Sequence, residues 1–361
     1  MVDNNEEFFD YAGYTEDRLN ELTEDTYIYS GNSRWKYWSA ESYGFGRGYR
    51  AYGFFPSFLP LHVWSTHGIW EGDFSEYDYN NDAPYMFVTS LEAKNEYEKK
   101  NAKPCFVVPA PLIAYRRYKR IKQIPNAKGT LIFPAHGCSN SKNLYSREEL
   151  IEKIKAFPEK FKPVCVMLHM WDIRYGDHKI YMEHGIPVYT AGNNCDMRYG
   201  DRFFDVLKNF KYSMTNSQGS FMFYCIEMGI PCSMISEKGN ELFLEDSEDR
   251  RKQKGEERYI RNALIDRAND LLRRADPEQI SDEMKDFVYE YAGLKDGISR
   301  FKMTCLLYTA YVKDGDFLED LKFFINNFFE IILPVQIMKQ YIQWRYANNP
   351  YKLEKKLRRF R

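Results

Sequence analysis

The stretch YSMTNSQGSFMFYCIEMGIPCSMI, residues 212–235, decides the fold. Tyr212–Thr215 reads as a short buried strand. A small polar turn follows, then an apolar helix over Ser217–Met228 that Gly229 closes. Pro231–Ile235 reads as the next strand. Strand, turn, helix and strand in this order make one unit of a parallel α/β sheet.

The same unit recurs upstream. Thr130–Pro134, Val164–His169 and Pro187–Thr190 read as strands, and Ser146–Phe157, Asp177–His184 and Arg202–Phe210 as the helices between them. Ser146 is the cap of the first, with Glu149 as its capping-box partner. Such alternation predicts a doubly wound sheet. Nearer the start, Leu59–Ser65, Tyr85–Ser90 and Cys105–Pro109 read as strands of a smaller lobe, with helices over Leu91–Asn101 and Leu112–Lys122. Residues 1–57 show little period, so loops and short helices are expected. Gly44-Phe45-Gly46-Arg47-Gly48 reads as a flexible aromatic loop, since no apolar strand precedes it and no helix clearly follows. Glu245–Arg258 is a run of mixed charge, expected as a solvated loop or helix start, and the chain beyond it reads helical. The expected class is α/β, two Rossmann-like lobes with C-terminal helices.

Composition narrows the function. The 361 residues are 44% hydrophobic and 29% charged, as in a soluble globular protein, and 361 residues suffice for two lobes. A net charge of -1 argues against nucleic acid as a partner. Aromatic residues reach 17%, enough to supply stacking platforms as well as core. The seven Cys are odd in number and form no CxxC pair, which predicts free thiols, a reducing compartment and no zinc site. The start, MVDNNEEFFDYAG, is acidic and does not read as a signal peptide, and no apolar run is long enough to span a bilayer. A cytoplasmic protein is expected. Phe317–Met338 is apolar and aromatic, and Lys352–Arg361 holds six Lys or Arg against one Glu. That pairing can rest on the inner face of an anionic membrane; the plainer reading is a helix pair packed on the body with a solvated basic end.

In a parallel sheet, ligands bind beyond the carboxyl ends of the strands. Four such ends of the second series carry small or polar residues. They include His136 and Ser139, then Trp171 and Asp172, then Gly192 and Asn193, then Asn216, Ser217, Gln218, Gly219 and Ser220. The last group joins a strand to a helix, where free N–H groups and the helix dipole favour a phosphate. The plain alternative is that Asn216 or Ser217 is only an N-cap. His136 can donate to a leaving phosphate; otherwise it satisfies loop carbonyls. Trp171 and Asp172 can flank a base. Phe221, Cys225 and Met228 form a stripe read as core, and Glu227 is a weak candidate for ribose hydroxyls. In the first lobe, His67 with Glu71 and Asp73 follows a strand, and His67 is the preferred base for an acceptor hydroxyl. His62 reads as a packed histidine. No HExxH, Walker A or paired DxD motif is present, so no metal or other cofactor is expected beyond a nucleotide co-substrate.

The segments Gly129–His136, His184–Gly192 and Tyr212–Ser220, continuing to Pro231, resemble bacterial capsule and lipopolysaccharide biosynthesis glycosyltransferases of the GT-B type. They look most like the donor lobe of sialyl- and polysialyltransferase-like enzymes, and Thr66-His67-Gly68 is similar to a His-Gly element of related acceptor lobes. One departure is Pro134-Ala135-His136, where such loops often read Pro-Ser-His. The resemblance implies an acceptor-side lobe over 1–127, a donor-binding lobe over 128–257 and C-terminal helices over 258–361. It also implies inverting, metal-independent transfer from a nucleotide-sugar donor to a glycan or lipid-linked glycan acceptor in surface polysaccharide synthesis. His67 would be the base, with Glu71 or Asp73 in reserve, and His136 with Ser217–Ser220 would steady the departing phosphate. Two alternatives stay open: transfer of a phospho-group from a nucleotide to a glycan or polyol, and a non-catalytic assembly component.

Overall fold

The computed structural model describes residues 9–25, 33–66, 68–69, 74–139, 141–236, 240–243, 263–332 and 335–357. The first helix among the described residues is α1 (Glu16–Thr23), capped by the Thr15 hydroxyl, which accepts from the Arg18 amide. Then come α2 (Trp38–Glu41) and α3 (Phe45–Gly53). The first sheet has β1 (Trp64–Ser65), β2 (Met86–Val88) and β3 (Cys105–Val107), all parallel and in sequence order. A short α4 (Glu76–Tyr79), α5 (Leu91–Lys100) and α6 (Pro111–Lys119) complete this lobe.

Two expectations for this lobe are corrected. The glycine-rich segment at 44–48 is not a flexible loop: it opens α3, whose glycines let it press on its neighbours. A Cβ on Gly48 would run into the Pro111 carbonyl, and one on Gly46 into the Glu41 carboxylate. Packing on α6, not helix propensity, makes this helix. The strand expected over Leu59–Ser65 is paired only at Trp64–Ser65. Its earlier backbone is satisfied by side chains instead. Arg50 donates to the Leu59 carbonyl, and the Leu61 amide donates to Glu41. Arg50 and Glu41 are themselves a buried bidentate pair at 2.6 and 2.8 Å.

The second sheet is larger. Its strands are β4 (Thr130–Phe133), β6 (Val164–Met167), β7 (Val188–Tyr189), β8 (Tyr212–Thr215) and β9 (Cys232–Met234), all parallel, in the order β7-β6-β4-β8-β9. The intervening helices are α7 (Arg147–Lys155), α8 (Met170–Arg174), α9 (Asp177–Glu183), α10 (Tyr199–Leu207) and α11 (Ser220–Glu227). Alternation along each strand feeds two cores. Leu131, Phe133, Cys165 and Met167 face one cluster, whereas Ile132, Val166 and Met214 face the other. This is the doubly wound sheet expected from the strand spacing. An added ribbon was not foreseen: β5 (Ser141–Leu144) pairs antiparallel with β10 (Asn240–Phe243).

The segment 9–25, counted with the first lobe from sequence, lies on the second. Its Tyr14 amide donates to the Val188 carbonyl at 2.8 Å, and Tyr189 donates its hydroxyl to the Asp10 carbonyl. It thereby covers the β7 edge, and α12 (Ala263–Arg274) packs beside β9 at the opposite edge. The chain then continues through α13 (Asp282–Tyr291), against α11, and α14 (Arg300–Asp314), against α3 of the first lobe. It ends with α15 (Phe317–Ile332), α16 (Val335–Arg345) and α17 (Pro350–Leu357). The expected charged run over Glu245–Arg258 lies outside the described residues.

Candidate functional site

A cleft of about 340 Å³ opens between the lobes, at the carboxyl ends of β4, β6 and β8. That volume lies at the lower end of the range for small-molecule sites. Its walls include Pro134 to His136, Leu168 and His169, and Ser217 to Phe221, facing Tyr43, Phe45 and Gly68 of the first lobe.

The turn after β8 forms one wall. Thr215 Oγ1 accepts from the Ser217 amide at 3.0 Å and fixes its start. Asn216 is buried, and its Oδ1 accepts from the Ala135 amide at 2.6 Å, which ties this turn to the one after β4. Its Nδ2 is buried with no hydrogen-bond partner among the described residues. The helix begins later than the sequence suggested, at Ser220, and its N-cap is Gly219 in extended conformation with no side-chain cap. Neither Asn216 nor Ser217 is the cap. Among the described residues the amides of Gly219, Ser220 and Phe221 make no hydrogen bond, while the Gln218 amide donates to Asn269 of α12 at 3.1 Å. Free N–H groups at an uncapped first turn favour an anion over a cation. Phe221, which reads as core from sequence, does pack partly buried against the main core, and it also lines this cleft, stacked on Phe133 at 4.7 Å and 9°.

The first lobe reaches the same turn. The Ile69 amide donates to Ser220 Oγ at 3.1 Å. Gly68 has φ of +88°, and a Cβ there would lie 2.7 Å from that hydroxyl, so only glycine fits. His67, Glu71 and Asp73 lie outside the described residues.

Two imidazoles stand across from the turn. His136 is exposed and stacks on His169 at 4.3 Å and 24°. Its Nδ1 faces the Gly137 carbonyl at 2.8 Å and must be the donor there, so a protonated ring presents Nε2–H elsewhere. From sequence His169 reads only as the end of a strand. It caps α8 through Nδ1, and its Nε2 lies 3.3 Å from the Tyr43 hydroxyl. Tyr43, also missed, has φ of 55°, a strained value for a non-glycine residue, held where its amide donates to the Asn194 carbonyl at 2.6 Å. Burial pushes its hydroxyl up to about 12. For His169 the sequence carries a signal: Asp172, three residues on, completes a capping box with it. For Tyr43 it carries none, because its conformation depends on the other lobe.

None of the remaining candidates among the described residues lines the cleft. Asp172 is buried and accepts from the Gly137 and His169 amides at 3.1 and 3.2 Å. Burial pushes its carboxyl up to about 7 against the pull of those amides. It braces the two histidine loops from behind. Trp171 is half-buried with the Arg174 guanidinium 4.7 Å over its ring, and it is not part of the cleft wall; nor is the exposed Ser139. Gly192 and Asn193 face α1. The Asn193 amide donates to the Leu22 carbonyl at 2.9 Å, and a Cβ on Gly192 would lie 2.8 Å from that same oxygen. Glu227 is buried under Arg116 and Arg117, which excludes it from ribose binding. His62 is a packed histidine, its Nδ1 2.8 Å from Asp314. Among the described residues no group of three or more His, Cys, Asp or Glu is placed to hold a metal ion.

No family model matches the chain, and no curated protein matches it by sequence. Solved structures with a distant likeness exist. A Staphylococcus aureus MnaA–UDP structure is 11% identical with a TM-score of 0.30, covering 69% of this chain and 72% of its own. The UDP-GlcNAc 2-epimerase of Methanocaldococcus jannaschii is 12% identical with a TM-score of 0.30, covering 66% and 69%. The Neisseria meningitidis UDP-GlcNAc 2-epimerase bound to UDP-GlcNAc is 12% identical with a TM-score of 0.30, covering 73% and 72%. A likeness this slight says nothing of what this chain binds or converts. The fold class rests on the chain's own two parallel sheets.

Proposed function

We propose that the protein is a transferase that holds a nucleotide-sugar donor in the inter-lobe cleft and passes the sugar to a glycan acceptor. One observation carries this reading: the uncapped first turn of α11 opens into a cleft that both lobes and two histidines share. The amides of Gly219, Ser220 and Phe221 would receive the donor phosphates. The Phe133–Phe221 stack offers an apolar face beside them. Acceptor would enter from the side of the first lobe, where His67 would take the proton of the attacking hydroxyl. That oxygen bonds to the anomeric carbon as the carbon–phosphate oxygen bond breaks, which gives inversion. The nucleotide leaves with the bonding electron pair, and the α11 amides with protonated His136 steady its charge. No step calls for a metal. The lobe of the first sheet, less the segment 9–25 that lies on its neighbour, would then be the acceptor side, and the lobe of the second sheet the donor side.

Thermal melting against CMP, UDP, GDP, dTDP and their sugar conjugates tests the binding step. A concentration-dependent rise with one nucleotide is expected. Absence of a rise with all of them removes the reading. With the binding nucleotide known, product analysis separates the chemistry. Free nucleotide plus an extended glycan supports sugar transfer, a phosphorylated product points to phospho-group transfer, and rearrangement of the sugar without acceptor points to an isomerase.

A further inference from the structure

The last helices carry a feature the cleft does not use. Between Val335 and Arg361 the sequence holds eight Lys or Arg and a single acid, Glu354, although the whole chain sits at -1. In that same stretch Ile337, Trp344 and Tyr351 are exposed, Trp344 at 77% and Tyr351 at 75%. Ile337, Tyr341 and Trp344 recur at the i, i+4, i+7 spacing that puts them on one face of α16. Ile342, on the other side of the same helix, is fully buried. The Tyr341 and Trp344 rings lie 6.1 Å apart, and Arg345 donates to the Tyr341 hydroxyl at 2.7 Å from above that ring. On α15, Leu318 and Ile325 are exposed at 76% and 62%, seven residues apart and so on one side of that helix.

Three occupants compete for such a surface, and charge decides among them. A second copy would set one strongly cationic end against another and be repelled. A nucleic acid would meet the cations but leave the aliphatic and indole groups unmatched. An anionic lipid surface meets both, with headgroups taking the Lys and Arg and the acyl boundary taking Trp344 and Ile337. Among the described residues no helix is long and apolar enough to cross a membrane. We propose that α16 and α17, flanked by the exposed side of α15, dock the protein flat on an anionic membrane. This stands independently of the cleft chemistry.

Sedimentation of the full chain with vesicles tests it. Binding is expected to phosphatidylcholine vesicles containing phosphatidylglycerol, weak binding to phosphatidylcholine alone, and loss of binding at high salt. A Lys352→Glu, Lys356→Glu double variant should bind the anionic vesicles at least about tenfold more weakly, and Trp344→Ser roughly tenfold more weakly. Both changes lie on the helical surface, and circular dichroism melts check that the fold survives. The wild-type comparison decides the matter even if a variant fails to fold. Equal partition onto neutral and anionic vesicles, or onto neither, overturns the proposal. So does a stable dimer in light scattering in which Trp344 becomes shielded from a soluble quencher.

Discussion

Two turns of the second sheet invite comparison, the one after β7 and the one after β8. Each follows a short buried parallel strand. Each consists of small polar residues with a glycine, Thr190 to Asn194 in one case and Asn216 to Ser220 in the other. From sequence both read as parts of a donor site. In the folded chain they part company. Among the described residues the amides of the β8 turn from Gly219 on make no hydrogen bond, and the turn opens into the cleft. The β7 turn gives only Ala191 to that cleft; its Asn193 is taken up by the Leu22 carbonyl and Asp25, and its Asn194 carbonyl by the Tyr43 amide. The lesson is that small polar residues mark the end of a parallel strand, but what packs upon them decides whether they receive a ligand or a piece of their own chain.

The contrast can be broken at several points. Removing the imidazole opposite the open turn should have the largest effect. His136→Ala should lower the rate of transfer by about 10²- to 10³-fold, the usual cost of losing one donor to a developing anion. Its melting point should hold, since the ring is exposed. An unchanged rate would place the leaving phosphate elsewhere. Next comes Gly192→Ala in the closed turn. Its φ of +86° and the 2.8 Å approach to Leu22 should cost roughly 2–3 kcal/mol in urea denaturation and leave nucleotide affinity unchanged. If affinity fell as well, the two turns would not be separable.

Asp172 links the turns after β4 and β6 and gives a pH test. Unfolded, its carboxyl titrates near 3.8; folded, near 7. Between these values the unfolded chain has released the proton that the folded chain keeps. The stabilising contribution is therefore complete below pH 3.8 and is lost as pH rises through about 7. The slope is at most about 1.4 kcal/mol per pH unit. Wild-type urea midpoints should fall across that window, and Asp172→Asn should flatten the fall. The smallest effect belongs to Asn269→Ala, which frees the Gln218 amide. One more exposed donor at the open turn should raise nucleotide affinity about two- to fivefold by calorimetry, within the modest net worth of one hydrogen bond. A loss instead would mean that Asn269 holds the turn in shape.

The second sheet was legible to within a residue or two because its strands are buried on both faces and read as unbroken apolar runs. The β5–β10 ribbon was not, since SKNL and NELF carry no apolar run to announce a strand. The helix of 45–53 was hidden by its glycines, which signal freedom locally and close approach globally. Within the site, the β8 turn and His136 could be found because they follow strands directly. Tyr43 could not, because a left-handed tyrosine is explained only by Asn194, which lies 151 positions further along the chain and in the other lobe. Gly192 and Asn193 show the converse. Nothing in their own neighbourhood reveals that residues 22–25 will lie on top of them.

The apolar cluster that runs from Tyr49 and Leu112 through Phe203 to Phe287 and Leu307 belongs to neither lobe alone. Sequence order divides the chain near residue 128, but oil and water do not respect that division. Cutting there would strip both halves of a common lining. The two sheets should therefore melt as one cooperative unit, with a single calorimetric transition where two independent lobes would give a pair.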